Sequence, residues 1–68
     1  MSNGEEQIEN LKYMFQSNTN RDIRVEIIDN LIKFGNTGFN AIYELLKTTD
    51  NSELLMYGLE QIRKNKES

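Results

Sequence analysis

Apolar residues along this chain recur at spacings of three and four, which predicts helices over most of its length. Four such runs are visible, separated by polar or glycine-containing segments. No segment alternates apolar and polar residues in the way typical of a half-buried strand, and the sequence contains no proline. The runs predict helices over about 4–17, 21–34, 37–48 and 52–65.

Residues that favour helix ends stand between these runs. Three pairs have the spacing of a capping box, in which a side-chain oxygen accepts a hydrogen bond from an otherwise unpaired amide. These pairs are Ser2 with Glu5, Thr19 with Asp22, and Asp50 with Glu53. Gly35 suits a left-handed end of the second helix, because glycine has no side chain to clash there. Asn36 or Thr37 is then expected to cap the third helix.

The chain also matches itself at an offset of 31 residues, without a gap. The loop residues Thr19 and Asn20 fall on Asp50 and Asn51. The apolar pairs are Ile8 with Phe39, Leu11 with Ile42, Met14 with Leu45, Phe15 with Leu46, Ile23 with Leu54, Ile28 with Leu59 and Leu31 with Ile62. One amphipathic helix can match another by chance, but two helices and their loop at one offset indicate a repeat. We therefore predict one domain made of two helical hairpins, at about 5–34 and 36–65.

A repeat of this length with two helices per unit is the signature of an α-solenoid. The stretch LIKFGNTGFNAIYELLKTTDNSELLMYGLEQI resembles HEAT-like repeats of the short, phycobilisome-lyase type. The matching positions are Gly35 at the end of an inner helix, Ala41, Ile42, Leu45 and Leu46 in the outer helix, Asp50 as a cap, Gly58 as a small residue, and the pair Ile23 and Arg24.

This resemblance implies an all-α fold of four helices in two antiparallel hairpins, a minimal HEAT-like superhelix. It also implies a role in protein–protein interaction. The chain departs from the family pattern at three places: it lacks the proline that commonly begins the outer helix, Ile27 replaces a small residue, and Leu55 replaces an arginine.

The composition argues against an enzyme. Histidine and cysteine are both absent, which excludes a histidine base, a thiol nucleophile and the usual zinc ligands. Asp22, Glu26 and Asp29 share one helical face, but no metal-binding loop accompanies them. The GNTG segment lacks the spacing and the lysine of a phosphate-binding loop. We therefore expect no catalytic residues, no metal and no cofactor.

The N-terminal segment and the hydropathy pattern bear on location. MSNGEEQIEN is acidic and polar, unlike a signal peptide. No run approaches the roughly 18 apolar residues that a membrane-spanning helix needs. We expect a cytoplasmic protein that does not associate with a membrane.

The fourth run is apolar on more sides than the last helix of a stack requires. In LLMYGL, Met56 and Tyr57 flank the main apolar stripe. A terminal helix with so wide an apolar face suggests that another protein, or a second copy of this chain, covers it. The candidate interaction residues are Val25, Ile32, Leu55, Met56 and Tyr57. The protein would act as a small adaptor or inhibitor; the alternative for Met56 and Tyr57 is that they pack inside the bundle.

The alternative function is nucleic-acid association. Its candidate contacts are Arg21, Arg24, Arg63, Lys64 and Lys66. The formal net charge of −3, from eleven acidic and eight basic residues, argues against a broad phosphate-binding surface. Cations near the C-terminus of a helix are also favoured by the helix dipole alone. Nucleic acid is therefore the less favoured partner.

Overall fold

The computed structural model describes residues 3–67 and contains four α-helices within that range. They are α1 (Asn3–Ser17), α2 (Arg21–Ile32), α3 (Asn36–Leu46) and α4 (Ser52–Glu67). The prediction of an all-α fold with four helices is confirmed. The observed α2 and α3 are each shorter at their C-terminal ends than predicted, because turn residues follow Ile32 and Leu46 directly.

The helices form two antiparallel hairpins, α1–α2 and α3–α4, stacked side by side in two layers. α1 packs beside α3 in one layer, and α2 packs beside α4 in the other. α2 and α3 each contact the three other helices, whereas α1 and α4 do not contact each other within the described residues. The distance between the two ends of the second hairpin shows that α3 and α4 are antiparallel. The Lys66 ammonium, near the end of α4, lies 5.9 Å from the ring centre of Phe39, near the start of α3.

Ion pairs connect the two hairpins at their edges. The ammonium of Lys12 on α1 lies 2.5 Å from a carboxylate oxygen of Glu44 on α3. This hydrogen bond raises the pKa of Lys12 and lowers the pKa of Glu44. At the starts of α2 and α4, the guanidinium of Arg21 lies 3.5 Å from the Glu53 carboxylate. Like helices of the two hairpins therefore run in the same direction, as the predicted repeat requires.

The core lies between the two layers. Its most completely buried side chains are Phe15, Ile28, Leu31, Ile42 and Leu45. α4 contributes Leu54, Gly58 and Ile62. Apolar burial of this kind stabilises a fold by about 25 cal/mol per Å² of surface removed from water, so the core supplies the main favourable term.

Two asparagines cap α2 and α4, each one residue later than the predicted cap. The side-chain oxygens of Asn20 and Asn51 each accept a hydrogen bond, at 3.1 Å, from the backbone amide three residues further on. The prediction that Thr19 and Asp50 cap these helices was therefore wrong. Asparagine is among the strongest capping residues, and Asn20 has the extended backbone that a cap position requires. The two caps lie 31 residues apart, so they preserve the sequence offset.

The connection between the hairpins is a three-residue turn that ends at Gly35. Gly35 has the expected positive φ, 67°, but with ψ of −140° it serves as the N-cap of α3. The prediction that Asn36 or Thr37 caps α3 was wrong, because the turn is tighter than expected. The Thr37 hydroxyl instead donates to the carbonyl of Phe34 at 3.1 Å. The first predicted capping pair involves Ser2, which lies outside the described residues.

Two buried glycines allow close approach of α3 to its neighbours. A Cβ atom on Gly38 would lie 1.8 Å from the carbonyl oxygen of Leu31, at the end of α2. A Cβ atom on Gly58 would lie 2.8 Å from Cδ1 of Leu46. Gly58 thus has the role of the small residue that the family resemblance implied for its position, whereas Gly38 was not singled out from the sequence.

Candidate protein-interaction surface

The second hairpin has an apolar face that no other helix covers among the residues that the structure describes. A shallow groove runs between α3 and α4, and its lining residues are Asn40, Tyr43, Glu44, Leu46, Lys47, Leu55 and Leu59. Met56, on the turn of α4 beside Leu55 and Leu59, extends the same face. We call the apolar residues of this face the open end. They are Tyr43, Leu55, Met56 and Leu59, whereas Leu46, which also lines the groove, is a core residue that is 5% exposed.

The sequence offset explains why the open end is exposed. Leu59 is equivalent to Ile28 of the first hairpin, yet Leu59 is 44% exposed and Ile28 is 0% exposed. Val25, the equivalent of the 70% exposed Met56, packs partly buried against the core. In the first hairpin this face is covered by α3 and α4. The open end is therefore the same face of the second hairpin, without a further hairpin on it.

The structure places four of the five predicted interaction residues in two groups. Leu55 and Met56 lie at the open end. Val25 and Ile32 are half-buried and pack against the core, on the α2 face that also carries Arg21. Since Arg21 reaches Glu53 of α4, this face lies between the hairpins and is already occupied. Only Leu55 and Met56 thus lie at the open end, where Met56 is 70% exposed and Leu55 is partly buried against the core.

Tyr57, the fifth predicted residue, joins the two hairpins. Its ring packs against the core, and its hydroxyl donates a hydrogen bond of 2.6 Å to the Asp29 carboxylate on α2. Because the neutral phenol makes this bond, the pKa of Tyr57 lies above its ordinary value of 10.0. The contact fixes the register of α4 against α2 and leaves the ring turned away from the open end.

Replacing Tyr57 by phenylalanine should destabilise the fold by about 1 kcal/mol, because it removes a hydrogen bond to a charged group that water partly screens. Urea unfolding at neutral pH measures this loss. A raised pKa means that the bond stabilises the fold below pH 10.0 and that this contribution is lost as pH rises through the folded-state pKa. Tyr13→Phe, on an exposed ring, is the control and should leave the unfolding midpoint unchanged. Equal midpoints for wild type and Tyr57→Phe would contradict the assignment.

Leu59 and Tyr43 belong to the open end but were not among the predicted interaction residues. Leu59 is 44% and Tyr43 is 37% exposed. The Lys66 ammonium lies 5.8 Å from the Tyr43 ring centre, at the edge of the open end. The 31-residue offset contains a signal that could have drawn attention to Leu59, because it pairs Leu59 with Ile28, and of the two only Ile28 is fully covered by other helices among residues 3–67.

The basic residues of the nucleic-acid hypothesis lie in two separate places. Arg21 pairs with Glu53 at the start of α4. Arg24 donates to the backbone carbonyl of Asn18 at 2.6 Å, and its guanidinium lies over an aromatic ring. Arg63 is ten residues beyond Glu53 on α4, which is about 15 Å along the axis. The predicted contacts therefore do not form a continuous stripe.

At the C-terminal end of α4, basic side chains interact mainly with their own helix. Arg63 bonds both Glu60 and Glu67. The Arg63 guanidinium lowers the pKa of Glu60, with a smaller contribution from the charge of Lys64, and the pKa of Arg63 itself is raised. Lys66 lies against aromatic rings. These contacts account for the basic cluster without a phosphate ligand.

Two further site classes find no support within residues 3–67. No three acidic side chains are grouped so that they could hold a metal ion. None of the four helices combines the length with the apolar character that crossing a bilayer requires. Comparison with protein-family models, with curated proteins and with solved structures finds no match to this chain.

Proposed function

We propose that this protein is a non-enzymatic interaction module, an adaptor or inhibitor, that binds another protein through its open end. The observation that carries the proposal is the contrast between Leu59 and Ile28. Equivalent positions of the two hairpins have the same apolar character, but one is fully buried and the other is 44% exposed. A face built for burial is thus available for a partner.

The chemistry of the open end suits a protein surface. Met56 and Tyr43 belong to residue types that are enriched at interfaces, where a flexible thioether or an aromatic ring adapts to a partner. Burying exposed apolar surface releases about 25 cal/mol per Å², which is the driving force for such docking. The groove between α3 and α4 would receive apolar side chains of the partner.

Charged residues at the rim would orient that partner. Glu44 and Lys47 line the groove on α3, and Arg63, which pairs with Glu60, lies one helical turn beyond Leu59 on α4. Rim charges of both signs contribute more to orientation and specificity than to affinity. The chain as a whole carries a net charge of −3, which favours approach of a basic partner surface.

The substitution Leu59→Glu should abolish partner binding, because it places a charge in the middle of the apolar face. Tyr13→Glu is the matched control: Tyr13 is 71% exposed on α1, outside the open end. Each variant would be immobilised and exposed to an extract of the source cells, and captured proteins would be identified by mass spectrometry. Circular dichroism would verify that both variants remain helical, and Met56→Glu is a second test at a more exposed site.

The proposal fails if Leu59→Glu and Met56→Glu capture the same proteins as the wild type. Capture that Tyr13→Glu also eliminates would place the binding surface elsewhere. Binding to nucleic acid would instead weaken steeply as salt is raised, whereas apolar docking would not. Membership of a HEAT-like family and cytoplasmic location stay predictions from the sequence.

A further inference from the structure

We infer that the groove between α1 and α3 is a second binding surface, which takes a lysine- or arginine-bearing segment of another protein. This groove lies on the side of α3 that faces α1, whereas the open end lies on the side that faces α4, and Asn40 and Glu44 border both. The inference goes beyond the proposed function and does not depend on it. It starts from the charges that line the groove.

Acidic side chains dominate the lining of the groove between α1 and α3. Four of the eleven acidic residues in the chain line it, and they are Glu5, Glu6, Glu9 and Glu44. Lys12 is the one base among the lining residues, so the lining carries a formal charge of −3. Counting Lys47 as well, because its charge acts on Glu44, still leaves −2. The groove therefore attracts cations, even after the neighbouring bases are included.

The repeat does not require acids at these positions. The residues 31 positions after the three acids of α1 are neutral, and they are Asn36, Thr37 and Asn40 at the start of α3. The helix dipole favours acids in the first turn of α1, where Glu5 and Glu6 lie, but Glu9 lies beyond that turn. Glu44 lies in the last turn of α3, where the dipole disfavours an anion. Helix stability alone thus does not explain the acidity of the groove.

The ion pairs within the groove show which chemistry it accommodates. The Lys12 ammonium lies 3.3 Å from Oε2 of Glu9 and 2.5 Å from Oε2 of Glu44. These contacts use only part of the capacity of the two acids, because a carboxylate offers about four lone-pair positions. The side chains of Glu9 and Glu44 remain 71% and 61% exposed. A further ammonium or guanidinium can therefore bind beside Lys12 without displacing it.

The spacing of the acids favours an extended, multiply charged ligand over a single ion. Within residues 3–67, no three acidic side chains are grouped so that they could hold a metal ion. Glu5 and Lys12 are seven residues apart, which is about 10 Å along α1. Three extended residues span that distance at about 3.3 Å each. A short basic segment thus matches the length of the acidic lining.

The uncharged lining residues favour a protein segment over a free polyamine. Ile8 and Ala41 form an apolar floor, against which the methylene stem of a lysine or arginine packs. The exposed side-chain amide of Asn40 can both donate to and accept from a peptide group, which a polyamine lacks. The volume of the groove, about 460 Å³, lies within the range of clefts that bind ligands.

Titration of the full chain with trilysine, acetylated and amidated so that it carries three positive charges, tests the inference. The amide NMR signals of Glu9, Asn40 and Glu44 should shift saturably at low salt. Glu6→Gln should weaken binding about 2- to 5-fold, the range of an exposed ion pair, and Glu6→Lys should abolish it. Glu26→Gln is the matched control, because it removes an acid of α2 that does not line the groove. It should bind trilysine like the wild type.

Three results would overturn the inference. The first is the absence of saturable shifts at about 1 mM trilysine. The second is an equal loss of affinity in Glu6→Gln and Glu26→Gln, which would indicate attraction by net charge alone. The third is equal affinity for spermidine, which carries the same charge without peptide groups and should bind more weakly.

The two proposed surfaces can fail separately. Leu59→Ala should bind trilysine like the wild type, because Leu59 does not line the groove between α1 and α3. Failure of trilysine to bind leaves the open end unaffected. Conversely, a Leu59→Glu variant that still captures the partner would refute the proposed function and leave this inference standing.

Discussion

Replacing Gly38 by alanine should lower the free energy of unfolding by about 3 kcal/mol or more, which approaches or exceeds the margin of a domain this small. The new methyl group would lie 1.8 Å from the carbonyl oxygen of Leu31 and 2.8 Å from its carbonyl carbon. Both atoms belong to the backbone, so no change of rotamer relieves the overlap. α2 and α3 would have to move apart, and the core between them would lose its contacts.

Gly58→Ala is the matched control for this prediction. A methyl group there would lie 2.8 Å from Cδ1 of Leu46, the end of a flexible side chain that can shift. Alanine also favours a helix interior by up to about 1 kcal/mol over glycine, which offsets the remaining strain. We expect Gly58→Ala to change stability by less than about 1 kcal/mol. Urea unfolding followed by circular dichroism measures the stability of both variants. Equal losses of stability would show that α3 does not approach α2 at Gly38 more closely than it approaches α4 at Gly58.

Truncating Ile28 to alanine should cost about 2–5 kcal/mol, whereas Leu59→Ala should cost less than about 1 kcal/mol. The two residues are equivalent by the sequence offset, but Ile28 is fully buried between the hairpins. Its truncation leaves a cavity that the surrounding side chains fill only in part. Leu59 borders solvent on one side, so its truncation leaves no enclosed cavity.

Both truncations should be measured by urea unfolding at low micromolar protein concentration. The ratio of the two losses is the informative quantity, since it reports directly on stacking. Similar losses for Ile28→Ala and Leu59→Ala would mean that something already covers the open end in solution. They would also contradict the assignment of Leu59 to an exposed face of the monomer.

The helices were predictable because their signals are local. Spacing of apolar residues located four helices with bounds close to those observed, and the offset of 31 residues anticipated their arrangement in hairpins. The exact capping residues were harder to predict, because two residues that favour cap positions stand side by side in each loop. These pairs are Thr19 with Asn20 and Asp50 with Asn51. Which one caps depends on where the first buried residue must lie, and that is set by packing between helices.

The candidate surface was predicted only in part. The wide apolar face of α4 singled out Leu55, Met56 and Tyr57 together, but the pattern could not tell that Tyr57 turns towards Asp29. The pattern also did not single out Leu59, because one amphipathic helix carries no information about which of its sides has a neighbour. The comparison of Leu59 with Ile28, 31 residues earlier, makes that difference explicit.

The distribution of contacts among the helices has a consequence for the dynamics of the chain. α2 and α3 contact every other helix, and the tight turn at Gly35 joins them directly. Among residues 3–67, α1 and α4 each contact this central pair but do not contact one another. Either α1 or α4 can therefore detach while the other remains docked. The partial unfolding events of lowest free energy are then those of α1 and α4. The cooperative unit of the fold is thus the α2–α3 pair. Transient detachment of α4 would separate the open-end residues of α4 from Tyr43 on α3.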